Sequence, residues 1–461
     1  MNEKLNVCLM NDSFPPTIDG VANVVVNYAK HITASHGSCA VATPEYPGVQ
    51  DDYPFPVIRY PSIDTTQLVG YRAGNPLVPE TVETLRRMDF NLIHSHCPVA
   101  STVLARSLRD ASGVPVIFTY HTKFDIDIAK AVRSQLLQQA AIDVLVRNIS
   151  ACDEVWVVSE GAGENLRSLG YEGNYLVMPN GVDLEKGQAP ETAVKALNDQ
   201  WQLPADAPVF LFLGRMMWYK GQKLILNGLK RYAESGKDFC MVFVGDGQDR
   251  AEIEAYADEL GLTDRCRFVG AVQDREQVRA WYCRADLLLF PSTFDTNGLV
   301  VREAAACGLG SMLVKGSCAA EGVADGRTGI LIKETGEALG AALLELDIPK
   351  MHEIGRHAME EIYLSWAESV SMANERYHIV LENHRSGKLQ PKAGPLRGFY
   401  TIGDEMRSEL AAARDTADAV RSAADSMRGA VKETVRASFK EAAEDLQREL
   451  NKAQSILERY L

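Results

Sequence analysis

The stretch from Val209 to Gly221, VFLFLGRMMWYKG, carries two signals from which the fold can be predicted. Five apolar residues run directly into a glycine and an arginine, and a lysine follows five positions after the arginine. A short, continuous apolar run is typical of a strand buried on both faces of a parallel sheet. Open parallel sheets bind ligands outside the carboxyl ends of their strands, so the two cations predict a binding site there.

The same pattern recurs on both sides of this stretch. Short apolar runs alternate with segments of helical spacing, such as Ala22–Ile32 and Ala100–Ala111. This alternation predicts the α/β class with two doubly wound, Rossmann-like parallel sheets. The predicted strands are Leu5–Met10, Cys39–Ala42, Leu92–Ser95, Val114–Thr119, Val155–Ser159 and Tyr175–Met178, then Val209–Leu213, Met241–Val244, Arg267–Val269, Leu287–Phe290, Ser311–Val314 and Gly329–Leu331.

The chain of 461 residues is longer than two average domains need. We predict a first lobe over residues 1–180 and a second over 181–365, with a helix at 366–385 that returns to the first. Residues 386–403 are rich in glycine and proline and predict a linker. Residues 404–461 contain one glycine and no proline. Their apolar and small residues recur every three or four positions, which predicts an amphipathic, Ala-rich helix that packs on the lobes or pairs with another copy.

The composition excludes several classes of protein. The chain has 48 Lys and Arg against 62 Asp and Glu, a net charge of −14, which argues against nucleic-acid binding. Its nine cysteines form no C-x-x-C pair and predict reduced, cytosolic thiols. No apolar run approaches the roughly 18 residues of a membrane-spanning helix, so any membrane contact is expected to be peripheral.

The loop after Val209–Leu213 holds Gly214, Arg215 and Lys220. An arginine fork and a lysine point charge at one strand end suit a diphosphate, because both neutralise charge that grows on a leaving group. Isolated cations are otherwise ordinary solvated surface charges. Their position between two glycines at the end of a strand favours the functional interpretation.

The loop after Leu287–Phe290 places Asp295 eight positions before Glu303. Gly298 lets the backbone turn just before a predicted helix, whose first amides then point towards a ligand. Carboxylates in this arrangement suit sugar and ribose hydroxyls. Taken alone, Glu303 has the simpler interpretation of an acid near the start of a helix, where it interacts with the helix dipole.

Two loops in the first half complete the set of candidates. Gly20 opens a predicted helix after the first strand and allows a close backbone approach to an anion. The alternative is a capped strand-to-helix turn in which Asp19 makes a local hydrogen bond. His121 lies past the strand Val114–Thr119, where structural and catalytic roles are about equally expected. We interpret His94 and His96 as packing residues that follow another strand, because no third ligand at metal spacing accompanies them.

Several of these residues belong to motifs that occur together in the order found in one family. In these motifs the chain resembles the retaining glycosyltransferases of family 4, which have the two-lobed GT-B fold, over about residues 4 to 385. The motifs are Pro15-Pro16 with Gly20, His121, Pro179-Asn-Gly-Val-Asp183, Gly214-Arg215 with Lys220, Val244-Gly-Asp-Gly247, Phe268-Val-Gly270, Pro291-Ser292, and a carboxylate-x7-Glu element that ends in Glu303 and Gly308.

The resemblance implies roles for individual residues. Arg215 and Lys220 would hold the donor diphosphate, Glu303 the ribose hydroxyls, and Gly20 the phosphate, while His121 would sit beside the transferred sugar. The further donor-binding residues are Gly214, Gly270, and Asp295 with the backbone of Asn297, Gly298 and Leu299. No metal and no cofactor besides the nucleotide-sugar substrate is implied, because the two cations replace the metal. The leaving phosphate takes the acceptor proton, so no protein base is required.

The chain departs from the family pattern at two of these positions. Asp295 stands where relatives have glutamate, which shortens the side chain by one methylene. Asp19 stands where many relatives have the first of two glycines, which leaves Gly20 alone to receive the phosphate. These departures keep open a different class of protein, a non-catalytic nucleotide-sugar-binding or scaffolding protein that acts through its helical tail.

The loops Asn11–Pro16, Thr119–Thr122 and Thr296–Gly298 are most similar to those of bacterial 1,2-diacylglycerol 3-glucosyltransferases. That resemblance implies glucose transfer from UDP-glucose to a lipid acceptor, diacylglycerol, by a protein held peripherally on the cytoplasmic membrane face. A soluble or polyprenol-linked saccharide is the alternative acceptor. Candidates for a basic, lipid-facing surface are Tyr71-Arg72, Arg86-Arg87, Arg106 and Arg109, although each taken singly is more simply a solvated charge.

Overall fold

The computed structural model describes residues 4–17, 19–66, 72–131 and 134–389. The chain forms two compact units. Unit 1 contains the chain up to Val157, then Ala162–Val177 and the chain from Met372, and unit 2 contains Val158–Gly161 and Met178–Ser371. The predicted tail 404–461 and most of the predicted linker 386–403 lie outside the described residues.

Unit 1 is built on a seven-stranded sheet in which all the strand pairs are parallel. Its strands are β1 (Leu5–Met10), β2 (Gly37–Pro44), β3 (Val57–Tyr60), β6 (Leu92–Ser95), β7 (Val116–Tyr120), β8 (Glu154–Val157) and β9 (Leu176–Val177). Their order is β3-β2-β1-β6-β7-β8-β9. The direction of winding reverses beside β1, which is where open α/β sheets bind ligands. A short antiparallel pair, β4 (Ser62–Ile63) and β5 (Ala73–Gly74), lies outside this sheet.

Helices connect the parallel strands of unit 1. The first is capped by Asp19, whose carboxylate accepts a hydrogen bond from the Ala22 amide at 2.8 Å, and a π-helical turn at Ile32–His36 continues it. The last runs from unit 2 into unit 1 and buries Tyr377. These helices are Gly20–His31, Pro79–Arg86, Ala100–Ser112, Phe124–Ala131, Gln135–Ser150, Glu160–Ser168 and Trp366–Arg385.

Unit 2 is built on a six-stranded parallel sheet of order β12-β11-β10-β13-β14-β15. The strands are β10 (Val209–Leu213), β11 (Cys240–Val244), β12 (Cys266–Gly270), β13 (Leu287–Leu289), β14 (Ser311–Val314) and β15 (Ile330–Ile332). The central strand β10 buries Val209 to Phe212 completely or almost completely, because helices cover both faces of the sheet. The helices are Glu191–Trp201, Gln222–Glu234, Arg250–Glu259, Arg275–Arg284, Leu299–Ala306, Gly336–Leu344 and Ile348–Glu361.

The predicted fold class is confirmed, with two Rossmann-like parallel sheets. Each predicted strand coincides with an observed one, with bounds that differ by a few residues. Strands β3, β4 and β5 were not predicted from the sequence. These strands are only two to four residues long, and Pro56 and Pro61 flank β3, so any alternation of apolar and polar residues is too short to be recognised.

Two of the residues proposed for a lipid-facing surface are not on the surface. Arg106 and Arg109 are 4% and 8% exposed. Arg106 donates to Asn148 Oδ1 at 2.6 Å, and Arg109 donates to the Ala151 carbonyl at 2.7 Å. Helical spacing placed both on a helix, but it did not reveal that this helix lies beneath another. Arg86 and Arg87 are exposed and share the carboxylate of Glu83.

No helix in the described part of the chain is both long enough and apolar enough to cross a bilayer.

Candidate active site

Lys220 is held at the carboxyl end of β10 by a tightly packed turn. It ends a short 3-10 turn at Trp218–Lys220 and is 8% exposed. The following residue, Gly221, has a φ of 91°, and a Cβ there would lie 2.8 Å from Pro291 Cγ. Only glycine fits this backbone, so the loop after β10 packs directly on the loop after β13.

Lys220 forms an ion pair with Asp295. Its Nζ lies 2.6 Å from Asp295 Oδ1, and the Lys220 and Asp295 side chains are 10% and 21% exposed. The ammonium also lies within 6 Å of the ring centroids of Tyr219 and Phe294. The two charged residues are 75 positions apart in the sequence, but β10 and β13 are neighbours in the sheet and their carboxyl ends meet.

Several buried polar atoms on these two loops have no hydrogen-bond partner in the structure. A buried polar group without a partner costs roughly 1–3 kcal/mol, so a cluster of them calls for an explanation. Both donors and acceptors are represented, which is the mixture that binds hydroxyl and phosphate groups. The atoms are Gln222 Oε1, Ser292 Oγ, Asp295 Oδ2 and Asn297 Nδ2.

Gly298 sets the direction of the helix Leu299–Ala306. It has left-handed backbone angles, φ 60° and ψ 45°, and it precedes the helix without a side-chain cap. A Cβ at this position would lie 2.7 Å from Ala319 Cα. The first amides of this helix, which begins at Leu299, therefore follow directly on the polar loop that carries Asp295 and Asn297.

Glu303 lies one turn into the same helix and is oriented by two residues of a neighbouring helix. Its Oε1 lies 2.6 Å from Arg275 Nη2, and its Oε2 accepts a 2.8 Å hydrogen bond from the Tyr282 hydroxyl. Burial, and then the charge of Glu303, raises the pKa of Tyr282, so its hydroxyl stays a donor. Each carboxylate oxygen keeps acceptor capacity for a further hydroxyl. Arg275 and Tyr282 were not predicted from the sequence, because neither belongs to a recognisable motif.

The glycines of Val244–Gly247 fix the backbone on either side of Arg215. A Cβ on Gly245 would lie 1.9 Å from the Gly214 carbonyl oxygen, and one on Gly247 would lie 2.4 Å from the Met216 carbonyl oxygen. The Met216 amide donates to the Asp246 carbonyl at 2.9 Å. The Arg215 side chain is exposed and lies outside the ion pair of Lys220 and Asp295.

Gly270 lies at the end of β12, with a φ of 89°. Its carbonyl accepts a 2.8 Å hydrogen bond from the Gly245 amide. The structure thus brings the ends of β10, β11 and β12 together through Gly214, Gly245 and Gly270.

In unit 1, Gly20 is the first residue of its helix and has no heavy atom within 4 Å of the position a Cβ would take. Asp19 caps this helix, as the simpler interpretation of this loop predicts. A second buried carboxylate, Asp12, accepts hydrogen bonds from the amides of Ala100 and Ser101 and so ties the first loop to another helix. Burial raises the pKa of Asp12 despite these hydrogen bonds.

His121 directly follows β7 and is 7% exposed. Its Nε2 lies 2.9 Å from His96 Nδ1. Burial lowers the pKa of His121 to about 3, so the imidazole is neutral near pH 7. The structure therefore places His121 inside unit 1 as an uncharged, hydrogen-bonded ring.

His94 and His96 differ in part from the sequence interpretation. His94 lies within β6 rather than after it, and its nitrogens are 2.6 Å from the Tyr377 hydroxyl and 2.7 Å from Thr119 Oγ1. Both rings are buried, as packing residues are, but His96 also contacts His121. This contact joins residues 25 positions apart and was not predicted from the sequence. Among the described residues, no three His, Cys, Asp or Glu side chains are grouped so as to hold a metal ion.

Two family models match consecutive parts of the chain. "Glycosyltransferase Family 4" matches residues 18–186, and "Glycosyl transferases group 1" matches residues 194–354. Among individual relatives, D-inositol 3-phosphate glycosyltransferase 2 of Catenulispora acidiphila is 26% identical over 81% of this chain and 84% of the relative. Alpha-monoglucosyldiacylglycerol synthase of Acholeplasma laidlawii is 23% identical over 78% of this chain and 97% of the relative.

Solved structures show the same architecture. Sucrose-phosphate synthase from Thermosynechococcus elongatus superposes with a TM-score of 0.65 at 21% identity and covers 82% of this chain and 99% of its own. Anabaena HepE in complex with UDP-glucose gives a TM-score of 0.62 at 19% identity and covers 82% of this chain and 100% of its own. The two family models show that the chain belongs to the family 4 glycosyltransferases, and the two parallel sheets with these structural likenesses show that it has the GT-B fold.

Proposed function

We propose that the chain is a retaining, metal-independent hexosyltransferase that moves glucose from UDP-glucose to diacylglycerol. The product is an α-glycosyl lipid formed at the cytoplasmic face of the membrane, where the protein is held peripherally. Unit 2 is proposed as the donor-binding lobe and unit 1 as the acceptor-side lobe.

One observation carries this proposal, the polar cluster around Lys220. The cluster combines a nearly buried ammonium with four buried polar atoms that have no partner, at the strand ends where open α/β sheets bind ligands. A diphosphate and a sugar would supply the missing acceptors and donors. Arg215, exposed at the start of the same loop, would add the second cation.

The proposed chemistry needs two cations and no protein base. The bond between the sugar C1 and the diphosphate breaks, and Lys220 and Arg215 neutralise the charge that develops on the diphosphate. The acceptor hydroxyl attacks C1 from the face that the diphosphate leaves, and the diphosphate takes the hydroxyl proton. Configuration at C1 is retained because attack and departure share one face.

The Asp295 carboxylate has a second task in this scheme. In the structure it satisfies Lys220, and once a diphosphate engages the ammonium, Asp295 becomes available to accept hydrogen bonds from sugar hydroxyls. Glu303, oriented by Arg275 and Tyr282, is proposed to accept from the ribose hydroxyls. The HepE structure supports a uridine nucleotide, because that GT-B protein is in complex with UDP-glucose.

The lipid acceptor is supported by relatives with that activity in their names. Alpha-monoglucosyldiacylglycerol synthases occur among the relatives from both Acholeplasma laidlawii and Streptococcus pneumoniae. A soluble acceptor is the second candidate, and the D-inositol 3-phosphate glycosyltransferases favour it, with 26% identity in one case. A non-catalytic binding protein is disfavoured, because Lys220, Glu303 and His121 are all present and held in place.

A competition between acceptors tests the proposal. The full chain is incubated with UDP-glucose, UDP-galactose or GDP-mannose and with diacylglycerol micelles or D-inositol 3-phosphate, with and without EDTA. We expect a hexosyl lipid by mass spectrometry from UDP-glucose, an α-anomeric proton coupling by NMR, and no effect of EDTA. Turnover with D-inositol 3-phosphate alone would replace the lipid acceptor, and loss of activity in EDTA would contradict the metal-independent mechanism.

A further inference from the structure

Two buried histidines share one hydrogen bond at the carboxyl ends of neighbouring strands in unit 1. His96 follows β6 and His121 follows β7, and these strands pair in parallel. His96 Nδ1 lies 2.9 Å from His121 Nε2, and the stacked rings have centroids 5.2 Å apart. One of these nitrogens donates and the other accepts, so the protonation of one ring dictates that of the other.

The second nitrogen of His96 indicates which ring donates. His96 is 2% exposed, and its Nε2 is buried without a hydrogen-bond partner. A neutral imidazole has one N–H group and one bare nitrogen. A buried N–H group without an acceptor is rarer and more costly than a buried acceptor without a donor. The favoured arrangement therefore has the His96 proton on Nδ1, from which it is donated to His121.

Packing against His94 and burial stabilise this arrangement of the two rings. The His94 ring centroid lies 4.1 Å from that of His96, and both His94 nitrogens contact hydroxyl groups, of Tyr377 and Thr119. His96 is therefore packed between two rings. Burial lowers the pKa of His96 well below its usual range and that of His121 to about 3, so both rings are neutral near pH 7.

We infer that His96 is a positioning residue that holds His121 in the neutral tautomer with its proton on Nδ1. In this tautomer the lone pair of His121 Nε2 is occupied by the His96 N–H. His121 then carries its N–H group at Nδ1 and has no bare nitrogen with which to act as a base. The catalytic consequence rests on the proposed function, in which the leaving diphosphate takes the acceptor proton and no protein base is required.

The tautomer is tested by NMR on the full chain labelled with ¹⁵N-histidine. Long-range ¹H–¹⁵N spectra near pH 7.5 distinguish the two neutral tautomers, and the His121 signals are those lost in His121→Asn. We expect the Nδ1-protonated pattern in the wild type and in His96→Asn, whose amide N–H can donate to Nε2. His96→Asp places an acceptor there and should reverse the pattern, and His96→Leu should leave neither tautomer fixed.

The same variants are then assayed for sugar transfer. We expect His96→Leu to lower kcat roughly 10- to 100-fold, as loss of a partner that orients a functional histidine does, with a smaller effect on the donor KM. His96→Asn should recover most of the rate, and His384→Asn, at an exposed histidine, should match the wild type.

A wild-type spectrum with the His121 proton on Nε2 would overturn the inference, irrespective of which substrates the protein uses. So would a His96→Leu protein that keeps both the wild-type tautomer and the wild-type kcat. If the folded chain transfers no sugar at all, the proposed function fails, and the spectra still decide the tautomer.

Discussion

The Lys220 ammonium contacts one carboxylate oxygen and lies over two aromatic rings. These groups solvate its charge less well than water would. Burying such a pair costs several kcal/mol in desolvation and often adds little stability. Its presence at a strand end is therefore better explained by ligand binding than by folding. The ion pair also fixes the positions of both side chains. Neither has to move far for Lys220 to bind a diphosphate and for Asp295 to bind a sugar.

Replacement of Lys220 by alanine should separate binding from folding. We expect Lys220→Ala to lower kcat/KM for donor turnover about 100- to 1,000-fold, because a charge that stabilises the leaving group is lost. Lys223→Ala is the matched control, since Lys223 is exposed three positions further on and should leave turnover unchanged. Release of UDP gives the measurement. Equal rates for the two variants would show that Lys220 does not hold the diphosphate.

The buried histidines predict a loss of stability in mild acid. The pKa of His121 is about 3 in the folded chain, below the ordinary value near 6.5, so the unfolded state takes up the proton first. The stability contributed by the neutral ring is present above about pH 6.5 and falls as the pH drops towards 3. Between pH 6.5 and pH 5 the loss for this residue is about 2 kcal/mol.

Urea unfolding followed by circular dichroism at pH 7 and pH 5 measures this loss. His121→Asn should show a pH dependence that is smaller by that amount, because asparagine does not titrate. Wild-type and variant proteins with the same pH dependence would contradict a neutral, buried His121.

At the scale of elements, the strands and the loops that follow them could be predicted from the sequence, whereas their contacts could not. Val209–Leu213 is recognisable as a buried strand because five consecutive apolar residues allow no solvated face. The hydrogen bonds from Arg275 and Tyr282 to Glu303, and from His96 to His121, depend on which helices and strands become neighbours. A single sequence does not show which helices and strands will be neighbours in the fold. The burial of Arg106 was missed for the same reason.

Gly298 should be irreplaceable for two separable reasons. Its left-handed backbone costs a residue with a Cβ about 1–2 kcal/mol, and the Cβ would also lie 2.7 Å from Ala319 Cα. Gly316 has a φ of 84° but no atom within 4 Å of a Cβ. Gly316→Ala therefore measures only the free-energy cost of the left-handed backbone. We expect Gly298→Ala to cost about 3 kcal/mol and Gly316→Ala about 1 kcal/mol in denaturant unfolding. Equal losses of unfolding free energy in the two variants would mean that Ala319 can shift at little cost to make room for the methyl group.

At the start of the first helix, substitutions at two adjacent positions should have different effects, one on stability and the other on donor turnover. Asp19→Ala removes the cap and should cost about 1 kcal/mol without changing the donor KM. Gly20→Ala adds a methyl in open space and should leave the melting temperature unchanged. If the donor phosphate approaches this backbone, the methyl displaces it and donor turnover falls roughly 10- to 100-fold. Wild-type turnover in Gly20→Ala would remove this glycine from the proposed site.

At the scale of the whole molecule, the predicted helical tail 404–461, which follows the predicted linker, makes a further prediction. Deletion of these residues should leave a cooperatively folded chain with a wild-type melting temperature, because both sheets and their helices are formed by residues before 390. Deletion from Trp366 onwards is the contrasting variant. It removes the buried Trp366, Val370 and Tyr377 and should abolish folding. Scanning calorimetry compares the two, and unfolding of the shorter deletion would contradict the prediction that the two lobes fold without residues 404–461.

The return of the chain to unit 1 after Ser371 has a consequence for synthesis on the ribosome. The hydrogen bond between His94 and Tyr377 joins residues 283 positions apart. At about 5–20 residues per second, roughly 15–60 s pass between translation of the histidine and translation of its tyrosine partner. All six strands of unit 2, and its helices up to Glu361, are made during that interval, whereas unit 1 lacks the tyrosine that contacts β6 until nearly 380 residues have been translated. The enzyme therefore completes its first-translated half last.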